Sequence, residues 1–281
     1  KTSPYGSIEE PFTPGNLVLG ARGTFFARSL DSELKLNQEV MVAAAKHKGT
    51  SIMEMLVNCV IFNDGTHQEF AERSVRADRT ITLRHGEPMI FGANRDKGLV
   101  LDGLNLKVVT IGENGVTEKD ILVHDAKSDD KLPIHTMLAN MKYPDFPVAL
   151  GIIRDVEDST YDENVHKQVA EVKEKAKGYD LVIFGFNETS HRRGINFGII
   201  PQEIKFITDW AAQQPMIAVY LGSPYAVRYM EGHQNFTAFL LGYTHHPSNN
   251  RAAAQVVFGE ISAVGVLPST AGEFPAGYSA K

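Results

Sequence analysis

The sequence predicts an α/β protein made of two partial three-layer units, each a parallel sheet covered by helices. Short apolar runs alternate with amphipathic stretches along much of the chain, the order of a layered βαβ protein. The alternation restarts with a cleaner rhythm after Gly178-Tyr179, which divides the chain into segments 1–177 and 178–281. With 281 residues, 43% of them hydrophobic, the chain has enough apolar material for both cores.

The elements follow in order. Leu17–Ala21 reads as a short buried strand after a Pro- and Gly-rich entry, and Thr24–Ala27 continues the apolar run beyond Arg22-Gly23. Ser32 to Lys48 carries Leu34, Val40, Met41 and Ala44 at helical spacing, with Asp31 or Ser32 as cap and Gly49 at the stop. Ser51–Val57 is expected as a buried strand parallel to the first. From Asn63 to Asn105 only short runs such as Met89-Ile90-Phe91 stand out, bracketed by Asp-Gly and Asn-x-x-Lys-Gly turns. Leu106–Ile111 is a further strand. His166–Lys177 is a charged helix with Val169 and Val172 on one side and Glu171 and Lys175 spaced to pair. In the second segment Asp180–Phe186, Met216–Leu221 and Phe236–Leu241 read as strands, with helices from Pro201 to Gln213 and from Asn250 to Gly259. Right-handed crossovers onto one parallel sheet are the simplest topology.

A net charge of −6, with Lys and Arg scattered among acids, excludes a nucleic-acid footprint. No apolar run reaches the ~18 residues of a membrane helix and the polar start has no signal-peptide core, so no membrane partner is expected. Cytoplasmic localisation is expected for the first segment. The phosphate-cradling loop, the dinucleotide-binding glycine pattern, His-Glu-x-x-His and the Gly-x-Ser-x-Gly elbow are all absent. No catalytic residue is nominated. His245-His246 reads as a solvated loop, Ser223 before Pro224 as a turn into a helix, and Asn187-Glu188-Thr189 and Asn235-Phe236-Thr237 as chance glycosylation matches. The single cysteine, Cys59, excludes an intrachain disulfide and any all-cysteine metal site built from this chain alone. At a strand end it reads as a small core hydrophobe, or at most one of the four thiolates of an iron–sulfur cluster.

Tyr5–Phe12, Gly20–Arg28, Asn58-Cys59-Val60-Ile61-Phe62-Asn63-Asp64-Gly65 and Arg84–Gly92, followed by Val123-His124-Asp125-Ala126 and Tyr143–Gly151, resemble the back half of the β subunit of 2-oxoglutarate (2-oxoacid):ferredoxin oxidoreductases. The resemblance runs to about Lys177. It implies a thiamine-diphosphate-binding-fold-like segment and a family chemistry that uses thiamine diphosphate, Mg²⁺ and a [4Fe-4S] cluster, with an α subunit and ferredoxin as partners. Cys59 matches the family's late cluster cysteine, which makes it a single [4Fe-4S] ligand. The family's Gly-Asp-Gly motif, its Mg²⁺-completing Asn and its other cluster cysteines are expected upstream of Lys1, so the chain alone is expected to bind none of these cofactors. Tyr179–Gly185, Asn196–Ile199, Leu221–Ala226, Phe258–Ile261, Gly265–Pro268 and Glu273–Gly277 resemble part of the C-terminal α/β domain of glycoside hydrolase family 3, without its catalytic barrel. Three functional readings follow. One is an oxidoreductase β-subunit fragment fused to a second domain and inactive alone. Another is a non-catalytic accessory or carbohydrate-binding domain. The third, favoured for the whole chain, is a chimera without joint function. Truncated sheets expose their edges, so self-association is expected.

Overall fold

A computed structural model describes residues 8–9, 12–186, 190 and 192–279. The chain divides into unit one, Lys1–Val165, and unit two, His166–Lys281. No helix among the described residues is long and apolar enough to cross a membrane.

Unit one begins with a correction. The run expected as a strand at Leu17–Ala21 lies in helix α1 (Pro14–Gly20) and the turn after it. Pro14 sits at the first helical position, where its missing N–H costs nothing, and only Gly15 and Leu19 are buried. A short apolar run has no period by which to tell helix from strand, and here the proline decides. Strand β1 (Phe25–Leu30) is buried along its whole length. Helix α2 (Leu34–Lys46) starts later than expected, and neither Asp31 nor Ser32 caps it. Asn37 instead holds the entry, donating to the Leu30 and Asp31 carbonyls at 2.9 and 3.3 Å.

Strand β2 (Ser51–Leu56) forms where expected and pairs parallel with β1 in place of the helical Leu17–Ala21 run, but it is half-exposed, with Ile52 and Met55 reaching solvent. It lies at the edge of its sheet, a position local pattern does not reveal. Two one-turn helices, α3 (Gln68–Ala71) and α4 (Arg76–Arg79), lead to strand β3 (Thr80–Leu83). Strands β4 (Ile90–Phe91), β5 (Lys97–Asp102) and β6 (Asn105–Thr110) form a small antiparallel sheet in the region where the sequence signal is weakest. Its β5–β6 hairpin turns through Gly103 at φ +63°, a first-central-position glycine suited to a two-residue loop. Helix α5 (Leu132–Asn140) precedes strand β7 (Val148–Asp155).

The main sheet runs β2-β1-β7-β3. It is mixed rather than wholly parallel: β1 pairs antiparallel with β7, while β2 and β3 lie parallel to their neighbours. Both faces are covered. Phe25, Ala27, Val148 and Leu150 pack with Leu36 and Val40 of α2, and Phe26, Ala149 and Ile153 pack with Leu19, Leu138 and the small sheet. Successive strand residues point to opposite faces, so double coverage makes β1 a continuous apolar run without alternation.

Helix α6 (Tyr161–Ala176), inside which the division between units falls, starts before the expected His166. The ion pair in its last turn is Glu174–Lys177 at 2.6 Å rather than Glu171–Lys175. Unit two then gives strand β8 (Val182–Phe186), helix α7 (Pro201–Ala211), strand β9 (Met216–Tyr220), strand β10 (Ala238–Leu241) and helix α8 (Pro247–Val257). The sheet order is β10-β9-β8 with both pairings parallel. Ile207 and Trp210 of α7 pack on Met216 and Ala218, so the face read from the sequence is the buried one. The last helix begins at Pro247, not Asn250, because Pro247 takes the first helical position and the His246 side chain accepts from the Ser248 N–H.

Candidate functional site

The crevice of an open α/β sheet lies beyond the carboxyl ends of its parallel strands. In unit one the parallel pair β1–β2 ends at Leu30 and Leu56, and the chain after Leu56 enters the loop that carries Cys59. The Asn58 side chain closes the loop, donating to Asp64 Oδ1 at 2.9 Å and accepting from the Gly65 N–H at 2.9 Å. The Asn63 N–H donates to the Cys59 carbonyl at 2.9 Å, and the Asn63 amide donates to Thr66 Oγ1 at 2.8 Å. Cys59 is a free, half-buried cysteine. The backbone N–H groups of Phe62, then Ile61, then Asn63 hold its thiol below the ordinary value. Donors aimed at sulfur stabilise the thiolate, the form that binds metals or attacks electrophiles. The loop's flank is apolar and open, with Val60 73%, Ile61 80% and Phe62 59% exposed.

Beside the loop is a cleft of about 270 Å³ bordered by Asp31, Ser32, Asn58, His67, Arg73 and Arg76. Arg76 is committed to the scaffold: it pairs with Glu33, donates to the Ala71 carbonyl at 2.6 Å and reaches Ser32 Oγ at 3.1 Å. Burial lowers the His67 pKa, against the opposing pull of Asp31 and Glu54. Among the described residues no group of three or more His, Cys, Asp or Glu side chains converges as a metal site. One cysteine in the sequence falls short of the four thiolates of a [4Fe-4S] cluster.

Sequence reading missed a second constellation, although His124 and Asp125 lie inside one of the quoted motifs. Asp125 anchors a turn by accepting from Ser128 Oγ at 2.5 Å and the Lys127 N–H at 3.0 Å, and this Asp-x-x-Ser spacing was the available signal. His135 Nε2–H donates to the Asp125 carbonyl at 2.7 Å, and His124 Nε2–H donates to the Ile152 carbonyl at 2.8 Å, tautomers set by their carbonyl partners. Arg154, 1% exposed, donates to the Gly23 carbonyl at 2.8 Å and to Asp129 Oδ1 at 2.5 Å, and lies 3.4 Å from His135 Nδ1. The Arg154 guanidinium is the main cause of the lowered Asp129 pKa. None of these side chains lines the cavity of about 740 Å³ or the cleft of about 270 Å³. It ties β7 to the α5 entry.

Burial is the largest cause lowering the pKa of both His124 and His135. The unfolded chain, with imidazoles near pH ~6.5, therefore takes up protons that the folded unit resists. Stability contributed by the neutral imidazoles is complete above that pH and is lost as pH falls below it. The urea midpoint of the full chain should decline between pH 7 and pH 5, and His124→Phe should flatten the decline. An unchanged slope in that variant removes His124 from the account.

The residues read from the sequence as turn, loop or chance matches have structural roles where they are described. Ser223 is buried at the start of a 3₁₀ turn, Pro224–Tyr229, and His246 caps α8. The Asn235 amide donates to the Thr208 carbonyl at 3.1 Å. Asn187-Glu188-Thr189 lies outside the described residues.

The chain is 37% identical over 176 residues to the 2-oxoglutarate oxidoreductase subunit KorB of Mycobacterium tuberculosis, a match covering 63% of this chain and 46% of that protein. It is 32% identical over 59 residues to the 2-oxoglutarate synthase subunit KorB of Archaeoglobus fulgidus, covering 21% of this chain and 22% of the relative. A 2-oxoacid:ferredoxin oxidoreductase subunit beta from Sulfolobus sp is 28% identical over 90 residues, covering 32% and 29%. No family model and no solved structure matches the chain. Nothing in these comparisons supports the glycoside hydrolase likeness of the second segment. The N-terminal part of the chain is thus similar to oxidoreductase KorB subunits, and the chain spans less than half the length of the curated relatives it matches.

Proposed function

We propose that the first segment, residues 1–177, is part of a 2-oxoacid:ferredoxin oxidoreductase β subunit in which Cys59 supplies one thiolate to a [4Fe-4S] cluster. The 37% identity over 176 residues carries this reading. The backbone donors on the Cys59 sulfur support it, because hydrogen bonds to cluster sulfurs tune such sites and thiolates are the ligating form. The remaining ligands, the thiamine diphosphate and Mg²⁺ site, the α subunit and ferredoxin belong to partners or sequence beyond the matched part. The Asn63-Asp64-Gly65-Thr66 turn serves loop closure. We place the seam at Lys177-Gly178 and read the second segment as a separate module fused to the first. A sugar-binding role for that module has no structural feature in its favour.

The test supplies in trans the portion of the Mycobacterium tuberculosis KorB subunit that lies outside the match. Anaerobic reconstitution with iron and sulfide should give cluster absorbance with the wild-type chain and lose it with Cys59→Ala, while calorimetry of the chain alone should show no heat with thiamine diphosphate and Mg²⁺. A cluster that survives Cys59→Ala, or saturable thiamine diphosphate binding by the chain alone, overturns the assignment.

A further inference from the structure

Unit two contains a cavity of about 740 Å³, within the range of small-molecule sites and larger than the cleft beside Cys59. Its floor is β10, where Phe239 and Leu241 stand on one face of the strand, and both remain only half-buried. One wall is α8, which presents Asn249, Ala253 and Val256 at helical spacing. The space exists because alanines occupy the middle of that helix, where larger side chains would fill the gap over Phe239 and Leu241. The other wall is the segment 261–279, with Val264 and Leu267 facing the opening.

That segment is held in place by its own bonds. The Leu267 N–H donates to the Tyr278 carbonyl and the Gly277 N–H to the Leu267 carbonyl, each at 2.8 Å, and Ala271 and Phe274 exchange bonds at 2.9 and 3.1 Å. Glu273 pairs with His233 at 2.9 Å, and Ala271 is fully buried. The internal bonds fix the segment's own shape, and the Glu273–His233 pair with the burial of Ala271 ties it to the rest of the unit.

The chemistry of the wall selects its occupant. Among the described residues no Asp, Glu, Lys, Arg or His lines the cavity. A charged ligand would enter without a counter-charge, and desolvation would oppose it. The polar groups present are a few hydroxyls, such as those of Ser262 and Ser279, and the Asn249 amide, which already donates to the Gly242 carbonyl at 2.8 Å. One hydroxyl or carbonyl on an apolar body would find a partner among them. Val264 is 86% exposed and Tyr278 47%, apolar surface that such a molecule would cover.

We propose that this cavity binds an uncharged, predominantly apolar small molecule carrying at most a hydroxyl or carbonyl group, between β10, α8 and the segment 261–279. The site is independent of the oxidoreductase reading of the first segment. Titration of the full chain with the neutral fluorophore 1-N-phenylnaphthylamine should saturate at about one probe per chain, as expected of a single preformed pocket. Decanol should displace the probe, and decanoate should not. Ala253→Leu fills the cavity from α8 and should weaken probe binding at least about tenfold without lowering the melting temperature. Ala252→Leu, at a solvent-exposed lining position, covers the case in which the buried substitution prevents folding, and should weaken binding in the same direction. Non-saturating binding, or unchanged affinity in the folded filled variants, overturns the site. Equal displacement by decanoate overturns its selectivity for uncharged ligands.

Discussion

Gly151→Ala should lower the melting temperature of unit one by about 10 °C, equivalent to roughly 4 kcal/mol for a domain of this size. Gly151 lies in the middle of β7 at φ +94° and pairs with Arg28 of β1 and Leu83 of β3. A Cβ built there would sit 2.5 Å from the Leu83 carbonyl oxygen and 3.3 Å from its nitrogen. The backbone cannot withdraw, because both neighbours are strands with buried side chains. Left-handed backbone costs a non-glycine residue about 1–2 kcal/mol, and forced overpacking adds about 1–3. Thermal denaturation of the full chain, followed by near-ultraviolet dichroism, checks this. A loss under about 2 °C would falsify the close approach of β3 and β7, since it corresponds to less than about 1 kcal/mol.

Arg154→Met should cost about 3 kcal/mol and move the urea midpoint down by about 1.5 M. The methionine keeps much of the side-chain volume, so the loss reports the guanidinium. Its removal leaves the Gly23 carbonyl and His135 Nδ1 without that donor and releases Asp129 from its shortest contact. Unpaired buried polar atoms are costly, and Asp129, half-exposed, rehydrates easily. Arg22→Met provides the contrast: its 2.6 Å pair with the same Asp129 is exposed on both sides and should be worth less than about 1 kcal/mol. Equal effects from the two variants would show that Asp129 pairing, rather than the buried end of Arg154, holds the cluster.

Both large effects fall on β7, an element that local pattern did not reveal. The stretch Val148-Ala149-Leu150-Gly151-Ile152-Ile153 is apolar throughout, but a glycine in its middle and an arginine after it obscure a strand reading. Arg154 became tolerable in a core only because Asp129, His135 and the Gly23 carbonyl, remote in sequence, converge on it. The antiparallel pairing of β7 with β1 follows from the return of the chain through α5, which carries no periodic signature. Cys59 is the opposite case. Its neighbours Asn58, Asn63, Asp64 and Gly65 build the loop locally, yet the strand-end pattern reads the thiol as core, and the resemblance alone pointed to ligand chemistry.

By itself the sequence determined that this is a layered α/β chain, that β2, β6, β8, β9, α2 and α7 form close to their expected places, and that the chain carries one thiol. These are properties of period, glycine and proline placement, and composition, all of which act over a few residues. Tertiary structure alone decided that β2 is an edge strand, that the buried imidazole of His135 lies beside Arg154, and that alanines of α8 leave a cavity over β10 with no charged side chain among its described lining residues. Each of those depends on which distant surface arrives to cover a side chain or fails to, and burial of that kind is set by packing rather than by local propensity.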